Sequence, residues 1–172
     1  MASLNTRLDD LTLAVFDGDR VCEVGILRCQ GDVVLEAYQT LVNPQRSVGR
    51  GAFAIHHIPD SELADAPLFA EVADEVLARL EGNVFVAHNA PFDLGFLASE
   101  LAHIGLTMPR LIALDTLRLS QALYPFGSHS LSTLCHYLGI DLEGGEHHRA
   151  LTDAFLTWHL FQRLTDTLWR RG

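Results

Sequence analysis

Apolar and polar positions change their period along the chain, and the change divides it into two kinds of element. Leu11 to Phe16 is apolar and partly β-branched, Val21 to Cys29 alternates around Val21, Glu23 and Gly25, and Asp32 to Val42 continues with Val33, Val34, Tyr38 and Leu41. These runs predict three strands. Only the short turns Asp17-Gly18 and Gln30-Gly31 separate them, and a parallel return would need a long crossover, so the three strands are expected to pair antiparallel.

After Pro44 the helical period takes over. Leu68, Phe69, Val72, Val76, Leu77 and Leu80 follow Pro67 on one helical face, with Gly82 as the stop. Val84 to Ala87 reads as a compact buried strand, and Asn89 or Ala90 with Pro91 opens a helix carrying Phe92, Phe96, Leu97 and Leu101. Leu111 to Leu114 predicts another short strand, followed by a helix to Tyr124. Leu131, Leu134, Cys135 and Leu138 form a short helix closed by Gly139, and a last helix aligns Leu151, Ala154, Phe155, Trp158, Phe161, Leu164 and Leu168. The expected fold is α/β, a mixed central sheet of three antiparallel strands with parallel additions, flanked by helices.

With 172 residues, 48% of them hydrophobic, the chain is expected to form a single domain over 1–172. No apolar run approaches the ~20 residues of a membrane span, and the polar, acidic start does not read as a signal peptide, so the expected location is cytoplasmic. Cys22, Cys29 and Cys135 are odd in number and lack metal-type spacing, which makes them small core residues rather than a disulfide framework. The formal charge of −10 argues against a nucleic-acid partner unless some carboxylates hold divalent cations, which invert the local field. All twelve basic residues are arginine, a usage that genomic base composition explains as readily as phosphate binding does.

Metal-assisted phosphodiester cleavage needs several carboxylates aimed at one place. Three acids lie at element ends: Asp17 closes the first strand, Asp93 falls in the first turn of its helix, and Asp153 lies near the start of the last helix, on the flank of its apolar face. His148 precedes that helix and would stand about 140° from Asp153 on a continuous helix, so it is expected on the incoming loop. A histidine there can accept a proton from water near neutrality. Singly, each has an ordinary reading: Asp17 as a turn residue, Asp93 as a partner of the helix dipole, His148 and Asp153 as an accident of spacing. The remaining histidines show no zinc-cage spacing.

In order, these pieces resemble the DnaQ-like exonucleases of the DEDDh type, a family with a ribonuclease H-like fold that includes the proofreading subunit of bacterial replicative DNA polymerase. The resemblance runs from about residue 11 to 164. Its most specific segment is Val84-Phe85-Val86-Ala87-His88-Asn89-Ala90-Pro91-Phe92-Asp93-Leu94, similar to the family's second motif, and His148-Arg149-Ala150-Leu151-Thr152-Asp153-Ala154 resembles the third. The resemblance implies 3′-to-5′ hydrolysis of single-stranded ends, DNA favoured over RNA, releasing nucleoside monophosphates. Asp17, Asp93 and Asp153 would hold two Mg²⁺ or Mn²⁺ ions, and His148 would act as general base. His88, Asn89, Phe92 and His129 would contact substrate. A DNA polymerase subunit is the implied partner, with the domain acting as a monomer or homodimer.

The first motif departs from the family. The family has Asp-x-Glu, two threonines, a glycine and a loop, whereas Asp17 runs directly into Gly18-Asp19-Arg20-Val21. Three explanations stand. Asp19 replaces the glutamate as a metal ligand, although a tight turn at Asp17-Gly18 would carry it onto the next strand. The domain is catalytically weak or inactive and binds nucleic acid or a polymerase. Or the chain is a shortened form of an active enzyme.

Overall fold

The computed structural model describes the backbone of residues 11–17, 20–140 and 149–171, and side chains over 20–140 and 149–170. Three strands open it: β1 (Leu11–Asp17), β2 (Arg20–Gln30) and β3 (Val33–Leu41). They pair antiparallel, as the short turns require, with Leu13 opposite Gly25, Asp17 opposite Arg20 and Ile26 opposite Tyr38. Both ladders shift register once, between Val15 and Phe16 and between Arg28 and Cys29, and such bulges strengthen the local twist. Two short parallel strands, β4 (Val84–Ala87) and β5 (Ile112–Asp115), complete a five-stranded sheet of order β3-β2-β1-β4-β5. The expected mixed sheet is therefore present.

Helices cover both faces. α3 (Phe69–Leu80) and α4 (Ala90–His103) bury Phe69, Val72, Val76, Leu97 and Leu101 against Val24, Ile26, Phe85 and Ala87. α7 (Ala150–Arg171) covers the other face, with Ala154, Trp158 and Phe161 on Leu27, Cys29, Val84 and Val86. Even and odd residues of β4 thus serve opposite cores, which is why this strand reads as one unbroken apolar run. β2 is buried from Val21 to Leu27 for the same reason, whereas its sequence suggested a strand with one wet face. α5 (Thr116–Leu123) and α6 (Leu131–Leu138) pack Leu123 and Leu134 on Leu160 and Leu164 of α7.

Two short helices, α1 (Arg50–His56) and α2 (Asp60–Leu63), were not foreseen. Their segments carry little helical apolar period. They are held by tertiary contacts instead: Ile58 and Leu63 pack on Cys22, and buried His56 accepts the Ile58 N–H at 3.0 Å through Nδ1. All three cysteines are buried.

Candidate active site

Two helices start beside the C-terminal end of β4. α4 begins three residues after Ala87, on the face lined by Phe85 and Ala87. Its N-cap, Asn89, takes the left-handed conformation (φ 77°), turning the chain sharply so that Pro91 and Asp93 fall in the first turn. The Asp115 carboxylate fixes this turn from β5: Oδ1 accepts the Asn89 N–H at 3.0 Å and the Leu117 N–H at 2.9 Å, capping α5 with the same oxygen. Asp93 is buried, 7% exposed, at the positive end of the α4 dipole.

α7 begins on the opposite face. A side chain on Gly25 would meet the Ala150 carbonyl carbon and the Leu151 nitrogen at 2.5 Å, so the start of α7 lies directly on the β2 backbone. Gly25 pairs with Leu13, and Leu11 of the same strand pairs with Val86. The start of α7 is therefore level with the end of β4. Asp153 lies one turn inside the helix and is half-buried, its N–H bonded to the Arg149 carbonyl at 2.9 Å. Burial pushes the Cys135 thiol up to about 11, with the nearby Asp153 carboxylate adding to the effect. Cys135 is thus a packing residue beside the site. His148 and Asp19 lie outside the described residues.

The hairpin carries Asp17 elsewhere. Its backbone is four residues past Leu13 (13 to 17), about 13 Å along the strand at ~3.3 Å per residue. From Gly25, α7 runs the other way, and Trp158 Nε1 donates to the Gly31 carbonyl at 3.4 Å. The hairpin end instead meets the far part of α4, where buried Glu100 receives two bonds from Arg20, at 2.8 and 3.1 Å, and the Val21 N–H at 3.0 Å. Among the described residues no three His, Cys, Asp or Glu side chains form a metal-holding group. Asp93 and Asp153 lie in the first turns of the two helices that start level with the β4 end, where Asp115 already accepts the Asn89 and Leu117 N–H groups, and all-oxygen donors of this kind suit a hard divalent cation.

The residues expected to touch substrate divide in two. His88 Nε2 contacts the His129 carbonyl at 2.8 Å, and Nδ1 contacts the Thr116 hydroxyl at 3.0 Å. A carbonyl only accepts, so Nε2 carries the proton, while the Thr116 hydroxyl lies between Nδ1 and the Ala87 carbonyl, 3.3 Å away, to which it donates. Burial pushes this imidazole below its ordinary 6.5. With both nitrogens engaged inside the protein, His88 braces β4 against α5 and the loop before α6. His129 is half-buried with Nδ1 on the Ser120 hydroxyl at 2.9 Å. Asn89 is exposed, and Phe92, 52% exposed, lies 4.8 Å from the Phe96 ring along an open groove of about 430 Å³ with Pro91, Gly95 and Ser99.

Sequence reasoning missed two acids, Glu23 and Glu100, 0% and 1% exposed. Glu23 accepts from Arg149 at 2.7 and 3.0 Å, from the Ala150 N–H at 2.8 Å and from Gln39 at 2.6 Å. The available signal was a single carboxylate inside the apolar run Val21-Cys22-Glu23-Val24.

Comparison with known proteins bears on family and fold. The sequence model described as exonuclease, of the RNase T type, matches residues 6–161. A DNA polymerase III subunit epsilon-like protein of Rhodobacter capsulatus is 38% identical over 99% of this chain, which spans only 26% of that relative. A PolC-type DNA polymerase III of Caldanaerobacter subterraneus is 34% identical over 90% of the chain, which corresponds to 11% of the polymerase. The DNA polymerase III subunit epsilon of Rickettsia felis is 32% identical over 96% of the chain and 76% of its own length. Exonuclease X in complex with 5′ overhanging duplex DNA superposes with a TM-score of 0.77 at 25% identity, covering 92% of this chain and 91% of its own. The nuclease domain of 3′hExo, a DEDDh family member bound to rAMP, gives 0.78 at 14% identity over 96% and 94%, a likeness of fold. With the family model matched across the sheet and both site helices, and the epsilon subunit similar over nearly the whole chain, this protein belongs to the exonuclease family.

Proposed function

We propose that the chain is a metal-dependent 3′-to-5′ exonuclease domain that removes nucleoside monophosphates from the ends of single-stranded DNA. What supports this reading is that α4 and α7, which carry Asp93 and Asp153 in their first turns, start on opposite faces of the sheet level with the end of β4. The DEDDh family depends on divalent metal, and Asp93 and Asp153, with Asp17 by the family pattern, would hold Mg²⁺ or Mn²⁺. Bound there, the ions would stabilise charge on the attacking and leaving oxygens. His148, leading into α7, takes the proton of the attacking water. Asn89, Phe92 and His129 bear on the terminal nucleotide, Phe92 offering a ring face to a base, and His88 holds that wall in place. Relatives named as polymerase subunits make a DNA polymerase subunit the partner of choice.

A second reading is favoured by the position of Asp17 at the hairpin end: an end-binding module with little turnover. A 5′-labelled single strand separates the two. With Mg²⁺ or Mn²⁺ it should shorten stepwise from its 3′ end, faster as DNA than as RNA, and Asp153→Ala should abolish shortening. Intact substrate at high protein concentration with both metals rejects the exonuclease; retained binding to the end under those conditions supports the second reading.

A further inference from the structure

Glu23 combines features that a stability role alone does not call for. It is a fully buried carboxylate on a strand enclosed on both faces; Gln39 of β3 donates to it at 2.6 Å, and its other partners are the Arg149 guanidinium and the Ala150 N–H, the residues that open α7. Ala150 is itself fully buried. Gly25, two residues along the same strand, lets the Ala150 and Leu151 backbone settle at van der Waals range. The first turn of α7 is therefore held from below by close backbone contact and from its open end by a charged acceptor. An N-terminal turn leaves backbone N–H groups without helical partners, and Glu23 supplies the acceptor from another element. Asp153 hangs from this turn through the bond between its N–H and the Arg149 carbonyl.

We infer that Glu23 is a positioning residue: with Arg149 and Gly25 it sets the height and rotation of the first turn of α7 on the sheet, and so the placement of Asp153. This deepens the exonuclease reading and rests on it for its kinetic consequence. Displacements of about 1 Å at a reacting centre cost on the order of 100-fold in rate, so small changes in this turn should appear in turnover before they appear in binding.

The test compares Glu23→Gln, Glu23→Asp and, as control, Glu36→Gln, which removes the ion pairs of a β3 carboxylate with Arg79 of α3 and Arg28 of β2. With saturating Mn²⁺, Glu23→Gln is expected to lower kcat by about 10- to 100-fold while leaving KM within about twofold, and Glu36→Gln should behave as the parent. Glu23→Asp keeps the charge but shortens the reach. A purely structural charge would restore kcat along with melting temperature in Glu23→Asp, whereas a positioning role restores the melting temperature and leaves kcat depressed. Normal kcat in a folded Glu23→Gln or Glu23→Asp overturns the inference. Amide exchange reads it independently of catalysis. Amides of 150–153 should exchange faster in Glu23→Gln, or in Glu23→Asp if the former does not fold, while those of 156–164 keep the parent rates. If the parent chain degrades nothing, the exonuclease reading fails and exchange alone decides: unchanged protection at 150–153 overturns the positioning role, and selective loss there upholds it.

Discussion

At the scale of single residues, the polar groups behind the site are as telling as the acids in it. Burial disfavours the charged form of His88 and holds its imidazole below the ordinary value. As pH falls, the unfolded chain takes up the proton at the ordinary 6.5 while the folded chain resists, so stability is complete above that value and declines below it. Urea midpoints taken between about pH 7.5 and 5.5 should fall with pH in the parent and fall less steeply in His88→Asn; equal slopes would remove His88 from the acid response. The Asp93 and Asp153 motifs were legible from sequence because each stands next to an element boundary written in proline, alanine and apolar spacing. Glu23 and Glu100 were not, because a carboxylate in an alternating strand, or on a helix, reads as a solvent-facing position. Their partners, Arg149 and Arg20, lie far away along the chain.

At the scale of elements, α3, β4 and α6 follow the sequence closely, since each is a local pattern with its own stop: Gly82 and Gly139 both adopt positive φ just past their helices. α1 and α2 lacked such a pattern and depend on packing against Cys22. The apolar Val33 and Val34 of β3 continue the strand pattern in the sequence yet are exposed, because β3 is the edge of the sheet. The contact between β2 and α7 is equally invisible to local rules, although Gly25 marks it. Gly25→Ala places a methyl 2.5 Å from fixed backbone, an overpacking that should cost about 1–3 kcal/mol. Chemical denaturation reads the loss, and a variant as stable as the parent would show that α7 can ride outward without penalty.

At the scale of the whole molecule, a formal charge of −10 must be reconciled with an anionic substrate. Carboxylates at the end of β4 contribute to that charge, and divalent cations held there would reverse it where the phosphate arrives. The hairpin register, set by Asp17 opposite Arg20 and fastened by Glu100, is the feature sequence could not specify, since it depends on three elements meeting. Inserting an Asp-x-Glu-Thr-Thr-Gly loop after Asp17 should let β1 slide back towards the site and raise exonuclease turnover at least about tenfold; turnover unaffected by the insertion would show that the short hairpin was not limiting. The bond between Glu23 and Arg149 also spans 126 residues of chain. During synthesis β2 is complete long before its partner exists, and closing so long a loop is slow and entropically costly. Glu23 must therefore remain hydrated in an unfinished sheet, keeping one face of the nascent hairpin wet and unready to stick, until the last helix arrives to take its charge.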